Sequence, residues 1–335
     1  MASFRTQLPI QKGQISINYS SRLLGVGSCF AENIGRRMQT LKWQIAINPF
    51  GILYNPISIS KGLERLLKQQ FYTESELFFH QELWHSFDHH SVFSHPSKTH
   101  GLQQINERFQ ESGILLKQMD RLIITLGTAY VFVNKTNGQV VGNCHKVSSS
   151  QFDRRRLSVA EVEHSLGEII PLLKKALPAL EVILTVSPVR HIRDGLVENQ
   201  RSKACLLLAV ESLVEQFSYV HYFPAYELMI DDLRDYRFFE ADLIHPNELA
   251  IDYIWEHFLE TYVSFGDRPL MGEVQKIVQA TAHRPFHPST EQHQRFVKSQ
   301  LFKIQQLEDK HPFLNFELEK RKLRAQIDPN SINVT

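Results

Sequence analysis

Three residues of this 335-residue chain have the types and spacing of a hydrolytic site. Ser28 follows the apolar run 23–26 and precedes an amphipathic stretch, so its hydroxyl would stand at the carboxyl end of a strand, where parallel sheets bind ligands. Gly27 permits a tight turn there, and amides at the start of the next helix would stabilise an oxyanion. A helix N-cap is the other role that serine fills at such a position, and the motif alone leaves both open. Asp242 and His245 stand in Ala241-Asp242-Leu243-Ile244-His245-Pro246-Asn247. A carboxylate three residues before a histidine can hold Nδ1–H and leave Nε2 to take a hydroxyl proton. Pro246 suits the first turn of a helix that continues through Ala250, Ile254 and Phe258. The structural alternative makes Asp242 a cap and His245 a half-buried ring. Taken together, the motifs are a nucleophile and a base that a sheet could bring together from opposite ends of the chain.

Other constellations compete. Cys29, beside Ser28, would have a lowered pKa at a helix start and is an alternative nucleophile using His245. Cys144 next to His145 reads as a small packed thiol. Residues 70–120 hold His80, His85, His89, His90, His95 and His100. His85 and His89, with Asp88 between, have metal-ligand spacing only on a helix, whereas the segment reads as strand or loop, so neither metal nor cofactor is expected. Arg190 is either a clamp for a carboxylate or phosphate or the ion-pair partner of an acid in 231–235, such as Asp235. The run Arg154-Arg155-Arg156 reads as a solvated surface before a helix.

The elements that must position these residues follow from alternating apolar runs and amphipathic stretches, the mark of β-α units and a parallel sheet covered on both faces. Strands are expected at 23–26, 43–47, 122–126, 182–186 and 219–222. Helices are expected after the first strand, from Ser158, whose Ser158-Val159-Ala160-Glu161 fits a capping box, and over 203–217. Asn137-Gly138 between two apolar triplets predicts a tight β-hairpin within 130–147. The expected division is a domain over 1–265, with an inserted loop at 70–120 and that hairpin, and a helical extension over 266–335. Helices in the extension are expected at 273–282, 290–307 and 315–326, with a solvated charged face over 308–324, a candidate homo-oligomer interface and a frayed end at 328–335.

Composition narrows the class. The 37 Lys and Arg against 36 Asp and Glu leave a net charge of +1, which gives no overall case for a nucleic-acid or membrane partner. A hydrophobic fraction of 42% with 15 Gly and 14 Pro excludes disordered and collagen-like chains. Three cysteines make no disulfide framework. The first ten residues lack the basic start and apolar run of a secretory signal, and no apolar stretch is long enough to span a bilayer, so a cytoplasmic protein is expected.

Gly27-Ser28-Cys29-Phe30-Ala31 resembles the motif of the GSCFA family, relatives of the SGNH (GDSL-like) hydrolases. The resemblance continues in order through Asn48-Pro49-Phe50-Gly51, Leu126-Gly127-Thr128-Ala129-Tyr130, Asn143-Cys144-His145-Lys146-Val147, Ser187-Pro188-Val189-Arg190-His191 and Asp242-Leu243-Ile244-His245-Pro246. It implies a three-layer α/β/α sandwich with a five-stranded, flavodoxin-like parallel sheet. Ser28 would match the nucleophile, Asp242 and His245 the acid and base, and the Gly51 amide an oxyanion donor. The third block of the wider SGNH superfamily, Gly-x-Asn-Asp, is here Gly127-Thr128-Ala129-Tyr130, so the donor asparagine is missing at its usual place; Asn48, Thr128, Asn143 and His145 are the candidates to replace it. His90, Tyr130, His145, Arg190 and His191 are candidates to bind substrate. The implied activity is an esterase that removes an acyl group such as acetate from a glycan or small-molecule ester through acyl-Ser28. An acyltransferase and a non-catalytic binding protein are the alternatives.

Overall fold

Five apolar runs become the strands of one parallel sheet because helices, not water, cover both of its faces. The computed structural model describes residues 6–9, 12–13, 15–283 and 285–327. In chain order come β1 (Arg22–Gly27), α1 (Cys29–Thr40), β2 (Gln44–Ile47) and α2 (Pro56–Leu67), then the hairpin β3 (Phe78–His80) and β4 (Leu83–His85). Next are α3 (Lys98–Leu116), β5 (Arg121–Leu126) and an antiparallel ribbon of β6 (Tyr130–Asn134), β7 (Val140–Val141) and β8 (Phe152–Arg156). The chain continues with α4 (Val159–Ala176), β9 (Glu181–Val186), α5 (Leu196–Gln216), β10 (Val220–Phe223), α6 (Ala225–Glu227) and α7 (Glu248–Tyr262). It closes with α8 (Arg268–Ala282), α9 (Glu291–Lys310) and α10 (Glu317–Arg324).

The sheet order is β10-β9-β5-β1-β2 with every pair parallel, the flavodoxin-like winding. The inner strands β1, β5 and β9 are buried from their second residue to their last. Side chains alternate between the two faces. Leu24, Val26, Leu122, Ile124, Val182 and Leu184 join a core with α2, α3, α4 and α5. Gly25, Ile123, Thr125 and Ile183 line a narrow apolar seam with Phe30 and Ile34 of α1 and Phe258 of α7. That alternation makes the three layers. The strand order reverses between β1 and β5, where Gly27 lies opposite Thr125, and the carboxyl ends at such a point are where these sheets hold ligands.

Several elements differ from expectation. The segment 70–120, expected as a loop, holds the β3–β4 hairpin and the 19-residue α3. The hairpin within 130–147 gains a third strand, because Arg154, Arg155 and Arg156 lie in β8 and pair with β6. In its turn Gly138 alone takes a positive φ, 68°, and Asn137 does not, so the connection is wider than a two-residue turn. Pro246 stands before the helix rather than in its first turn: Asn247 is the cap of α7, its Oδ1 accepting from the Ala250 amide at 3.1 Å. Helix α5 begins seven residues before its expected start.

The chain divides into two compact units, Met1–Arg36 with Gln44–Val263, and Arg37–Trp43 with Ser264–Thr335. In the second, α8, α9 and α10 pack through Val274, Ile277, Val297, Ile304 and Leu323, all buried. The charged stretch 308–324 is not solvated throughout: Glu319 is buried and bound to Lys42 Nζ at 2.7 Å, and Lys320 pairs with Glu308 at 3.0 Å. The end at 328–335 lies outside the described residues. Among the described residues no helix is long and apolar enough to cross a membrane.

Candidate functional site

The junction of β1 and α1 is stitched into place by its neighbours. Gly27 has φ 134°, and a Cβ there would lie 2.1 Å from the Thr125 carbonyl oxygen, so only glycine lets β1 and β5 approach this closely. The Gly27 amide donates to Asn48 Oδ1 at 2.9 Å, and the Gly27 carbonyl accepts from Leu53 at 3.0 Å. Ser28 caps α1: its Oγ accepts from the Phe30 amide at 3.3 Å, its own amide donates to Thr125 at 3.1 Å, and only 1% of its surface is exposed. Cys29, the first helical residue, is half-buried. Burial raises the pKa of its thiol, while the amides of Cys29 and Phe30 and the charge of Lys203 pull the other way.

Lys203 lies within electrostatic range of this junction. Fully buried on α5, it donates to the carbonyls of Gly127 at 2.8 Å and Ser187 at 2.6 Å, the residues that follow β5 and β9. Burial lowers its pKa to about 7. It ties together the ends of two central strands and places a partial positive charge near Cys29.

Asp242 and His245 meet as the sequence predicts. Asp242 Oδ2 accepts from His245 Nδ1 at 2.7 Å, and its Oδ1 accepts from the amides of Ile244 at 2.8 Å and His245 at 3.0 Å. Those hydrogen bonds hold the Asp242 carboxyl down at about 2. An ionised carboxylate only accepts, so Nδ1 carries the proton and Nε2 of the neutral ring is bare. The His245 side chain is 47% exposed. Its loop is fastened to the segment after β9, since the Arg190 amide donates to Ile244 at 3.2 Å. Within the described residues, no hydrogen bond joins His245 to Ser28 or Cys29.

The oxyanion-hole candidates separate clearly. The Gly51 amide is committed to the Asn48 carbonyl at 2.8 Å, and the Ser28 amide to Thr125, so neither is free as the site stands. Thr128 Oγ1 lies 3.1 Å from Ser202 Oγ and accepts from the Tyr130 amide at 3.0 Å. Asn143 Oδ1 accepts from His145 N–H at 2.8 Å. Asn48 Nδ2 is different: it is buried without a hydrogen-bond partner, while the bond from Gly27 to Oδ1 fixes which amide atom is the nitrogen.

A cleft of about 440 Å³ opens near these residues, lined by His90, Tyr54, Asn143, His145, Arg154, His191 and Arg193 among others. Tyr54 connects it to the ends of β1 and β5: the preceding Leu53 amide donates to the Gly27 carbonyl at 3.0 Å, and the Tyr54 carbonyl accepts from the amides of Gly127 at 2.8 Å and Thr128 at 3.0 Å. His145 donates Nε2–H to Ser86 O at 2.8 Å, and burial lowers its pKa to about 4. His90 and His191 are likewise lowered by burial. Of the other expected substrate binders, Tyr130 spends its hydroxyl on Glu198 at 2.6 Å. Arg190 lies over Phe239, 4.1 Å from the ring centre, and Asp235, the example of an acidic partner in its second reading, pairs instead with Arg237. Sequence reasoning missed Lys203, Arg154 and Arg193. The alternation of β8 was the available signal for Arg154, whose side chain is 19% exposed and bound to Asp194.

Two of the loop histidines, His85 and His89, are bound to protein groups. His85 lies between Ser94 Oγ at 2.7 Å and the His80 carbonyl at 2.9 Å, and His89 is buried against Ser86 Oγ at 2.9 Å. Among the described residues no group of three His, Cys, Asp or Glu side chains is placed to hold a metal ion.

A family model described as GSCFA family matches residues 22–258, and one described as GSCFA domain protein, C-terminal domain, matches 274–329. No match was found among curated proteins. Among solved structures, an acetyl xylan esterase (Est2A) from the rumen bacterium Butyrivibrio proteoclasticus aligns with 77% of this chain and 66% of its own, at 12% identity and a TM-score of 0.37. This chain thus spans just under two thirds of that protein's length, and a likeness so slight says nothing about activity.

Proposed function

The chain belongs to the GSCFA family, and on that footing we propose that it is an esterase of SGNH type, removing an acyl group such as acetate from a carbohydrate or small-molecule ester. The observation that carries this reading is the 2.7 Å bond from His245 Nδ1 to Asp242, which leaves a bare Nε2 on an exposed ring beside the segment after β9. His245 Nε2 takes the hydroxyl proton as Ser28 Oγ attacks the ester carbonyl. The tetrahedral oxyanion is met by the free Asn48 Nδ2–H rather than by the committed Gly51 amide. As the intermediate collapses, the ester C–O bond breaks and the alcohol leaves with the proton from Nε2. Water, deprotonated by His245, then cleaves acyl-Ser28 and releases the acid. An acceptor hydroxyl in place of that water would make the same site a transferase.

A second reading uses Cys29 Sγ as the attacking atom. It is favoured by exposure, since Ser28 is almost wholly buried and Cys29 is half-buried.

Acylation by p-nitrophenyl acetate, followed by intact-mass measurement and peptide mapping, tests both. One acetyl adduct that vanishes in His245→Ala and in Ser28→Ala supports the first reading; loss in Cys29→Ala but not Ser28→Ala selects the second. Absence of any adduct on folded protein overturns acyl transfer.

A further inference from the structure

The cleft carries a chemistry that ester cleavage alone does not require. None of the residues that line it is Asp or Glu, yet Arg154, Arg193 and Lys146 all reach it. Arg154 is neutralised in place, its Nε donating to Asp194 Oδ1 at 2.6 Å and a second N–H to Oδ2. That pairing uses the nearby carboxylate. Arg193 stands 4.7 Å over the ring of Phe132, on which Arg154 also rests at 4.4 Å; the charge of Asp194 acts on it, but among the described residues it makes no hydrogen bond or ion pair with a carboxylate. Lys146 is exposed, with a φ of 59°, and also has no acid partner among the described residues. An arginine resting on an aromatic ring without a carboxylate partner keeps its N–H fork available for a carboxylate or phosphate.

Two buried ring nitrogens in the same lining add an independent sign. His145 is nearly all buried, and its Nδ1 has no partner; because Nε2–H is spent on Ser86, this Nδ1 is a bare acceptor. His191 Nδ1 is likewise buried and unpartnered. Both residues line the cleft, and a ligand hydroxyl that reached these orphaned nitrogens would satisfy them.

We propose that the cleft binds a sugar-sized ligand through an anionic group seated by Arg193 and Lys146, with ligand hydroxyls directed to the histidine wall. That this ligand is the alcohol part of the ester rests on the acyl-transfer reading; the anion site does not. The substrate class is then an acylated sugar acid or sugar phosphate rather than a neutral glycan.

Calorimetric titration of the full chain with D-galacturonate, D-galactose 6-phosphate and D-galactose tests this without any turnover. Galacturonate or the phosphate is expected to bind at least tenfold tighter than galactose, and whichever is tighter tells carboxylate from phosphate. Arg193→Gln and Lys146→Gln should each weaken anionic-sugar binding about tenfold. Arg155→Gln, whose side chain pairs with Glu161 at 2.7 Å, should not. Equal binding of charged and neutral sugars, unchanged affinity in both cleft variants, or no binding of any of the three overturns the proposal. Failure of the acyl-transfer reading looks different, as a missing acetyl adduct with sugar-acid binding intact.

Discussion

Asn48 holds a φ of 45° and a carboxamide whose two ends have unlike fates: Oδ1 anchors the Gly27 amide and Nδ2 is buried with nothing to donate to. A buried donor left unpaired costs about 1–3 kcal/mol, a cost that an oxyanion would remove at the moment of reaction. Asn48→Asp keeps the acceptor for Gly27 and deletes the donor. Ester turnover is expected to fall about 100- to 1000-fold with KM little changed, measured by steady-state kinetics. A second residue-scale expectation concerns acid. Burial holds His89 at about 3 and His145 at about 4, against 6.5 in the unfolded chain. Between these values the unfolded state binds protons that the native state refuses. Their contribution to stability is therefore whole above pH 6.5 and is lost as pH falls towards 4, with a slope approaching roughly 3 kcal/mol per pH unit for the pair. Urea unfolding at pH 7, 6 and 5 checks this; a midpoint constant over that range would contradict it.

At the scale of elements, the β1–α1 turn depends on one glycine. Gly27→Ala sets a methyl 2.1 Å from the Thr125 oxygen in backbone that L-residues avoid. A loss of about 4 kcal/mol or more is expected, seen as a collapsed thermal midpoint or insoluble protein. The five sheet strands were legible because unbroken apolar runs flanked by amphipathic stretches have few other solutions. Helix α4 was legible because Ser158 and Glu161 cap each other, as they do in the structure. Helix α3 was not. Its buried stripe, Gly101, Ile105, Phe109, Ser112 and Leu116, has helical spacing, but glycine and serine at two of the five positions hide the apolar signal. Helix α2 was missed although Asn55 caps it and Pro56 opens it, a start signal readable without any structure. The β3–β4 turn was hidden for another reason: Gln81 and Glu82 both take positive φ, 46° and 66°, with none of the Asn or Gly that usually mark such turns. At the site, the Asp242–His245 contact was readable because it is local, three residues apart. Lys203 and the Arg154–Asp194 pair were not, because the sequence separation of their partners carries no periodic trace.

The whole molecule is cut unevenly by its two units, since the second borrows residues 37–43, the last turn of α1 and the link to β2. Ending the chain after Val263 therefore does more than remove a tail. The shortened protein is expected to keep its circular-dichroism signature of mixed helix and sheet but to melt several degrees lower and to bind an apolar dye, because Leu41 and Trp43 lose the rest of their unit. An unchanged melting temperature would show that these seven residues are supported without it. The borrowed segment also sets an order on biosynthesis. About 220 residues separate Trp43 from Ser264. At the speed of a ribosome, roughly 10–45 s pass before the rest of its unit begins to be made. Through that interval the nascent chain carries Met38, Leu41 and Trp43, all buried once complete, ahead of the helices of their unit. A chaperone that recognises short apolar stretches would find its natural window there.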